Sequence, residues 1–233
     1  MRAPYARGAA RHTSRTRRDF LCTRFEVGVS PLVGRRYAVL VNTELPVHDP
    51  RVRAAFDEVA RADFLPDALK SRAAEDRPLP IGFGQTASQP SLIAFMVDQL
   101  ALTPTSRVLE VGSGSGYQTA ILSKLCDEVF AIDVMAPLVE RAQVALADYG
   151  NVHLRVGNGA AGWPEMAPFD AIVVCAATAD IPKALLEQLA VGGRLVIPFG
   201  PTEGAQLLRI EKRHDGSFKS VPLLGVRFVP LLD

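Results

Sequence analysis

The chain has 233 residues, 48% of them hydrophobic, which is enough to bury the core of one large domain. Its 26 Lys and Arg residues nearly balance 25 Asp and Glu residues, so charge gives no reason to expect nucleic acid or an anionic membrane as partner. Three scattered cysteines exclude a disulfide framework and a zinc site, and no apolar run approaches the roughly 20 residues of a transmembrane helix, so we expect a cytoplasmic protein without a metal ion.

Residues 1–45 form a basic extension with nine arginines up to Arg36 and only two acidic residues. The stretch TRRDFL (16–21) resembles a twin-arginine export signal, but charged residues interrupt the apolar segment that should follow it. We therefore expect a poorly ordered basic tail and no export. Residues 46–233 are predicted to form a single domain.

Two amphipathic helices are predicted at the start of this domain. The first has Asp49 as its N-cap and Pro50 in its first turn, and it should end near Pro66. The second lies in SQPSLIAFMVDQLAL (88–102), whose apolar residues fall on one face at helical spacing. The stretch GQTASQP (84–90) concentrates hydroxyl and amide side chains between turn residues directly before this second helix.

Apolar strands alternate with amphipathic helices from residue 107 to residue 200. This alternation is typical of an α/β fold with a mostly parallel sheet that is covered on both faces. Asp215 and Gly216 indicate a C-terminal hairpin that would add antiparallel strands at one edge. The strands are predicted at 107–111, 128–133, 152–157, 169–177 and 193–200, and the helices at 117–126, 136–150 and 181–190.

A glycine motif, VLEVGSGSGYQTA (108–120), places Gly112, Gly114 and Gly116 between the first of these strands and its helix. Such glycines allow a tight turn and let a ligand lie against the backbone at a helix N-terminus. Asp133 ends the next strand, where a carboxylate can accept hydrogen bonds from ribose hydroxyls. The spacing differs from the G-x-G-x-x-G of dinucleotide-binding folds, so a nicotinamide enzyme is the weaker alternative.

With the acidic residue after the second strand and GNG (157–159) after the third, this motif resembles that of class I S-adenosylmethionine-dependent methyltransferases. The resemblance implies a Rossmann-like α/β sandwich and S-adenosyl-L-methionine as the cofactor. By position, it assigns cofactor binding to Glu110, Gly112, Ser113, Gly114, Gly116, Asp133, Asn158 and Gly159.

Three further segments, RPLPIGFGQTASQPSLIAFMVDQL (77–100), EQLAVGGRLVIPFG (187–200) and VRFVPLLD (226–233), resemble the protein-L-isoaspartate O-methyltransferase family. That family methylates the free α-carboxylate of L-isoaspartyl residues, and the ester closes to a succinimide that reopens partly to aspartate. The resemblance implies this repair activity on damaged proteins and peptides. No coiled-coil pattern suggests assembly, so we expect a monomer. The domain would hold N-terminal helices and an acceptor loop at 46–104, a cofactor-binding core at 105–200, and C-terminal strands at 201–233.

The same resemblance places the catalytic contacts in GQTASQP. Ser88 would hydrogen-bond the substrate carboxylate, with Thr86 and Gln85 beside it. An α-carboxylate, with a pKa near about 3.5, is already ionised at neutral pH and needs no general base. As an alternative or additional role, Ser88 or its neighbour Ser91 would cap the second helix. The residues implied to contact the substrate peptide are Ile81, Gly82, Val226 and Phe228. The segment from Val226 to Leu231 resembles the family's C-terminal segment, which closes over the substrate backbone.

Three positions depart from the family pattern: Asn158 replaces the usual Asp, Ala87 a frequent Ile, and Asp133 a frequent Glu. An Asn oxygen can still accept a hydrogen bond from the adenine amino group, at a cost of about 1 kcal/mol relative to Asp. Because Gly159 follows Asn158, we hypothesise that Asn158 deamidates in part to Asp. Two alternatives stay open: a specialised carboxylate O-methyltransferase for a particular modified peptide or metabolite, and a non-catalytic isoaspartyl-binding or partner protein.

The remaining candidate residues have structural interpretations. His48, His153 and His214 follow no catalytic-triad or metal-ligand spacing, and we expect them at the surface or at strand edges. Cys175, in the apolar run IVVCAA, is expected in the core. Trp163 is expected to close the core.

Overall fold

The computed structural model describes residues 45–232, so the expectations for the basic extension lie outside the described residues. The helices are α1 (Pro50–Glu58), α2 (Pro90–Leu100), α3 (Tyr117–Ser123), α4 (Ala136–Ala145) and α5 (Lys183–Gln188). The strands are β1 (Leu79–Gly82), β2 (Gln85–Ala87), β3 (Arg107–Val111), β4 (Glu128–Asp133), β5 (Val152–Val156), β6 (Phe169–Val174), β7 (Leu189–Phe199), β8 (Ala205–Lys212) and β9 (Phe218–Val226). Within this range, no helix is long and apolar enough to cross a membrane.

A seven-stranded sheet with the order β5-β4-β3-β6-β7-β8-β9 forms the centre of the fold. Strands β3 to β7 pair in parallel, while β8 and β9 pair antiparallel at one edge, as the hairpin signal at Asp215 and Gly216 predicts. The predicted fold class is therefore confirmed. The chain winds outward from β3 to β5 and then returns to β6 on the other side of β3, so the direction of winding reverses beside β3. In such sheets, ligands bind at the carboxyl ends of the strands at this reversal.

Both faces of the sheet are buried, which explains why its strands are almost continuously apolar. One face packs against α1, α2 and α3 and includes Met96, Ile121 and Val129. The opposite face packs against α5 and includes Phe130 and Leu185. Because close-packed cores lie on both faces of the sheet, the ends of the strands are held in fixed positions at the edge where a ligand would bind.

Several predicted helices are shorter in the structure. The first ends at Glu58, with Asp49 as its N-cap as predicted, and a separate 3-10 turn at Arg61–Phe64 continues the apolar pattern toward Pro66. Helices α3, α4 and α5 also end early, because buried residues after them, such as Leu146, keep the apolar spacing while the backbone leaves the helix. Leu189, predicted at the end of a helix, instead begins β7 and pairs with Phe169.

The acceptor loop predicted from the sequence is a β-hairpin. Leu79 in β1 pairs with Ala87 in β2, and the turn between them contains three consecutive residues with positive φ, at Gly82, Phe83 and Gly84. Two of these three are glycines, which adopt positive φ without a steric penalty. The hairpin therefore presents residues 85–88, hereafter the acceptor segment, as a short strand and its continuation.

The alternative role of Ser88 or Ser91 as a helix cap is wrong. Gln89 occupies the N-cap position of α2, and its side chain makes no capping hydrogen bond. The cap is supplied from a distant part of the sequence, because the Asp76 carboxylate accepts from the Ser91 backbone N–H at 2.9 Å. The Ser88 side chain is thus left without a capping role.

Candidate active site

A cleft of about 800 Å³, open to solvent, lies at the carboxyl ends of β3, β4 and β6. The cleft brings together parts of the chain that the sequence singled out separately: the glycine loop, Asp133, Gly159 and the acceptor segment. Most of the residues predicted to bind the cofactor or the acceptor carboxylate line the cleft. They are Gln85, Thr86, Ser88, Glu110, Gly112, Ser113, Gly114, Asp133 and Gly159.

The glycine loop between β3 and α3 needs glycine for two different reasons. Gly112 and Gly114 have φ of 89° and 53°, and a Cβ at Gly114 would lie 3.2 Å from the Ile81 side chain across the cleft. These two glycines keep the floor of the cleft open. Gly116, with φ of 89°, is instead the N-cap of α3, where a Cβ would lie 2.8 Å from Leu146. Gly116 is not part of the cleft wall, and its observed contacts serve helix packing, so its predicted contact with the cofactor stays a prediction.

Asp133 fixes the glycine loop against β4. Its Oδ2 accepts from the Gly114 backbone N–H at 2.8 Å, and its Oδ1 accepts from the Met135 N–H at 2.9 Å. A carboxylate has about four acceptor positions, so two remain for a ligand. Asp133 is largely buried but lines the cleft, and it can therefore accept hydrogen bonds from a pair of hydroxyl groups.

Ser113 gives a further indication that a polar ligand fits this loop. Its Oγ is buried in the cleft wall and has no hydrogen-bond partner among the described residues. A buried hydroxyl without a partner costs about 1–3 kcal/mol, and a ligand that pairs with it recovers this energy. The glycine loop, Ser113 and Asp133 together suit a ligand that carries hydroxyl groups and a charged chain, as S-adenosyl-L-methionine does.

Asn158 lies at the rim of the site and not in the cleft wall. It is exposed, and its Oδ1 accepts from the Ala160 backbone N–H at 2.8 Å, which caps a 3-10 turn. Gly159 does line the cleft, and a Cβ there would lie 2.3 Å from Val111, so only glycine fits. The hypothesis that Asn158 deamidates stays a prediction, and peptide mass spectrometry of aged protein tests it.

Glu110 is fully buried beneath the glycine loop. Its Oε2 accepts from the Thr119 hydroxyl at 2.5 Å, and its Oε1 lies 4.0 Å from the Cys175 thiol. Burial raises the pKa of Glu110 to about 8, so the carboxyl group is mostly protonated at neutral pH in the ligand-free protein. A ligand with a positive charge in the cleft would favour its ionised form.

Replacing Glu110 with Gln should remove part of the pH dependence of the free energy of unfolding. Because the pKa of Glu110 is raised in the folded state, the unfolded chain loses its proton first, and stability falls as pH rises from about 5 to about 8. From about pH 6 to pH 8, the original protein should lose about 2 kcal/mol more than Glu110→Gln. Urea unfolding at both pH values measures this difference, and equal losses in the two proteins would contradict it.

The acceptor segment carries polar side chains that are not engaged elsewhere. Gln85, Thr86 and Ser88 line the cleft, and their side chains make no hydrogen bond to another residue in the range 45–232. Ala87 is buried and packs beside Leu79 in a small cluster at the base of the hairpin. The hairpin thus offers two hydroxyls and an amide to a ligand in the cleft.

The C-terminal residues form another wall of the cleft, and most of them belong to the predicted segment from Val226 to Leu231. The structure places residues 229–232 along it, held by two 2.8 Å backbone hydrogen bonds between Ala177 and Val229 and between Leu231 and Ala177. Val226 instead ends β9 and pairs with Ala205, while Phe228 is buried in the core. Neighbouring side chains point in opposite directions here, so Phe228 faces the core while Val229 faces the cleft.

Two other predicted positions change their role. Gly82 does not line the cleft but lies beside Arg141, while Ile81 from the same strand does line it. Cys175, expected in the core, is partly exposed in the cleft wall, and burial raises the pKa of its thiol well above the usual value. The Gln118 amide donates to the Cys175 sulfur at 3.2 Å, which orients Gln118 toward the cleft.

Sequence reasoning missed several residues of the wall. Tyr117 and Gln118 begin α3, Met135 follows β4, and Cys175 and Ala176 follow β6. One rule could have identified them, because each follows the carboxyl end of a strand near the point where the winding direction of the chain reverses.

The residues given structural interpretations behave mostly as expected. His153 is partly exposed on β5, where it stacks on Phe130 and lies 3.2 Å from Glu128. Trp163 packs edge-on against Phe130 and supports the core rather than the cleft. Within residues 45–232, no three His, Cys, Asp or Glu side chains are grouped as metal ligands would be.

Comparison with known families bears directly on the site. The family model described as Protein-L-isoaspartate(D-aspartate) O-methyltransferase (PCMT) matches residues 39–233. The chain belongs to this family. Within the protein-L-isoaspartate O-methyltransferases, a relative from Anaeromyxobacter sp. (strain Fw109-5) is 53% identical over 189 residues, covering 79% of this chain and 89% of the relative. A relative of the same name from Opitutus terrae is 48% identical over 186 residues, covering 79% and 80% of the two chains.

Solved structures support the same assignment. A Plasmodium falciparum chain of the protein-L-isoaspartate O-methyltransferase type, in complex with S-adenosyl-L-homocysteine, superposes with a TM-score of 0.71 at 26% identity. The match covers 80% of this chain and 92% of the other. A second solved protein-L-isoaspartate O-methyltransferase gives a TM-score of 0.72 at 29% identity, over 80% of this chain and 62% of that one. The Rossmann-like methyltransferase fold predicted from the sequence is therefore confirmed.

Proposed function

We propose that this enzyme transfers the methyl group of S-adenosyl-L-methionine to the free α-carboxylate of L-isoaspartyl residues in damaged proteins and peptides. The observation that carries the proposal is one cleft that is lined by two different groups of residues, which form its first and second wall. The first wall holds the glycine loop and Asp133, and the second holds the unengaged polar side chains of the acceptor segment. Membership of the family and the names of its members support the same substrate.

The residues of the first wall would hold the cofactor. When bound, S-adenosyl-L-methionine supplies an electrophilic methyl group on a positively charged sulfur. Asp133 would accept from ribose hydroxyls through its two free acceptor positions, and the Ser113 hydroxyl would gain the partner that it lacks. The carboxyl group of Glu110, once ionised, would stabilise a positive charge above it.

The second wall would bind and orient the substrate carboxylate. This carboxylate is ionised at neutral pH, so the cleft needs donors that orient it and not a base that activates it. Ser88 and Thr86 would donate their hydroxyl protons, and Gln85 its amide protons. Orientation of the two reactants in one cleft is sufficient to lower the barrier of such a transfer by on the order of 7 kcal/mol.

The direct test measures transfer of radiolabelled methyl from S-adenosyl-L-methionine to a synthetic peptide with L-isoaspartate, and to the same peptide with normal aspartate. We expect label only in the isoaspartyl peptide. Label in neither peptide, with binding of S-adenosyl-L-homocysteine retained, would favour a carboxylate methyltransferase with a specialised acceptor. Loss of cofactor binding as well would favour a non-catalytic isoaspartyl-binding protein.

Replacing Asn158 with Asp should tighten the binding of S-adenosyl-L-homocysteine about fivefold, the equivalent of about 1 kcal/mol. The Oδ1 of Asn158 already accepts from Ala160, which leaves one acceptor position on this oxygen, and the other side-chain atom is an amide donor that cannot pair with the amino group of adenine. Asp would offer a second oxygen. Calorimetric titration measures the affinity, with S-inosyl-L-homocysteine as the control ligand because its base lacks the amino group. An equal gain for both ligands would contradict a contact between residue 158 and adenine.

We further propose that the enzyme acts as a cytoplasmic monomer without nucleic acid or membrane partners. The near-zero net charge and the small number of cysteines support this proposal. Within residues 45–232, no helix is long and apolar enough to cross a membrane, which also supports it. Sedimentation analysis of the purified chain tests the oligomeric state, and a stable dimer would contradict it.

A further inference from the structure

Arg61 is a buried arginine that lies behind the acceptor segment. It is only 5% exposed, and no carboxylate within residues 45–232 forms an ion pair with it. Buried arginines normally have such a partner, because an unpaired charge in the protein interior is costly. The position of this cation therefore calls for a specific explanation.

The guanidinium group of Arg61 joins two neighbouring segments of backbone. Its Nη2 donates to the carbonyl oxygen of Ser88 at 3.0 Å and to that of Arg77 at 3.0 Å. Its Nη1 donates to the carbonyl oxygen of Glu75 at 2.8 Å. A planar fork with five donors holds several carbonyl groups at once in a fixed geometry, which the point charge of a lysine does not impose. Arg61 thus ties the acceptor segment to the loop at residues 73–77.

Asp76, from the same loop, makes a second connection on the other side of Ser88. Its carboxylate accepts from the Gln89 side-chain amide and from the Ser91 backbone N–H, both at 2.9 Å. Ser88 is therefore held through its own carbonyl oxygen on one side and through Gln89 and Ser91, which follow it in the chain, on the other. Its hydroxyl stays without a partner in the described part of the chain. This arrangement fixes the position of the hydroxyl without occupying it.

The charge of Arg61 is also significant for the cleft. The cleft wall contains the acidic residues Glu110 and Asp133 but no Lys or Arg among residues 45–232. Arg61 lies just outside this wall, with its guanidinium carbon 6.0 Å from the ring centre of Tyr117, which is part of the wall. Burial lowers the pKa of Arg61 from its usual value, but a guanidinium group remains charged at neutral pH. The carboxylates of Asp76 and Glu75 lie near enough to offset part of this charge, although neither forms an ion pair with Arg61. A carboxylate at Ser88 would be attracted to the remaining charge, because the interior screens it poorly.

We propose that Arg61 is a positioning residue, which holds Ser88 in place through the backbone and whose unpaired charge makes the acceptor site select a carboxylate over a neutral group. The inference rests on the proposed function and adds the source of its selectivity. It assigns to Arg61 an effect on the substrate that is separate from cofactor binding.

The test compares two ligands and three forms of the full-length protein. The ligands are an L-isoaspartyl peptide and the same peptide with an α-carboxamide in place of the α-carboxylate, each titrated in the presence of S-adenosyl-L-homocysteine. The original protein should bind the carboxylate peptide at least about tenfold more tightly than the carboxamide. Arg61→Met should weaken carboxylate binding about tenfold or more and reduce the preference to about threefold or less. Arg61→Lys should weaken both peptides but keep the preference.

Two controls separate positioning from a general loss of structure. The affinity for S-adenosyl-L-homocysteine should stay within about twofold in both Arg61 variants, and Arg72→Met should leave all affinities unchanged. Arg72 is the matched control because it pairs with the Glu75 side chain and does not contact the acceptor segment.

Three results would overturn the proposal. The first is an unchanged preference of Arg61→Met for the carboxylate peptide over the carboxamide peptide. The second is a loss of affinity for S-adenosyl-L-homocysteine in an Arg61 variant that is as large as its loss of affinity for the peptide. The third is an unchanged affinity of Arg61→Lys for both peptides. The last result decides the matter even if Arg61→Met does not fold. If the original protein methylates no isoaspartyl peptide, the proposed function fails instead, so the two failures are distinguishable.

Discussion

Replacement of Asp133 with Asn should weaken the binding of S-adenosyl-L-homocysteine about 100-fold, which corresponds to about 3 kcal/mol. Asp133 accepts from two backbone N–H groups, and its remaining acceptor positions face the cleft. An Asn side chain has only one oxygen, so its amide would face either the Gly114 or the Met135 N–H. The variant should lose both the hydrogen bonds to a ribose and the position of the glycine loop. Calorimetric titration with S-adenosyl-L-homocysteine measures the loss.

Asp170→Asn is the matched control for this prediction. Asp170 also accepts from a backbone N–H, that of Arg107 at 2.8 Å, but it lies near the amino end of β6, away from the cleft. Its replacement should leave the affinity for S-adenosyl-L-homocysteine unchanged. Equal affinities in Asp133→Asn and the original protein would show that Asp133 serves only the loop and not the cofactor.

Replacement of Ser88 with Ala should lower kcat/KM for an L-isoaspartyl peptide about 100-fold. A hydrogen bond to a charged group contributes about 1.5–3 kcal/mol, and a carboxylate that has lost it is also less well oriented for transfer. Binding of S-adenosyl-L-homocysteine should not change, since Ser88 belongs to the acceptor segment and not to the glycine loop. Methyl-transfer kinetics at saturating cofactor measure the effect.

Ser91→Ala provides the comparison, because Ser91 is three residues away and lies outside the cleft wall. Its hydroxyl accepts from Gln89 and is not available to the substrate in the same way. This variant should keep kcat/KM within about twofold. If the two serine variants have similar activity, the Ser88 hydroxyl is not the contact to the acceptor carboxylate.

The central strands could be predicted closely because local sequence determines them. The bounds predicted for β3 and β4 agree with the structure, since each is a buried apolar run that begins with a charged residue, at Arg107 and Glu128. The cofactor side of the site follows from the same local signals. Gly112, Gly114 and Asp133 come directly after strands, so their convergence at one edge of a parallel sheet could be foreseen.

The acceptor hairpin was less predictable from the sequence. Pro80, Gly82 and Gly84 interrupt the alternation that normally indicates strands, so the stretch has the sequence pattern of a loop. Its strand character arises from the pairing of Leu79 with Ala87 and from the burial of both side chains. Such pairing depends on tertiary contacts that no local pattern contains.

The residues that hold the acceptor segment in place could not be predicted at all. Asp76 acts on Ser91 across 15 residues of sequence, and Arg61 acts on Ser88 across 27. Both use backbone groups of the partner residue, which every residue type offers, so no motif records the contact. A side chain that binds backbone can be identified only when the folded chain brings the two together.

The position of residues 229–232 has a consequence for the synthesis of the protein. These residues complete the cleft by joining the loop after β6, although the glycine loop and the acceptor segment are translated more than 100 residues earlier. When only the parallel strands have left the ribosome, the core of the sheet is present but the cleft still lacks one of its walls. The cleft therefore has all of its walls only once residues 229–232 have been made and have joined the loop after β6.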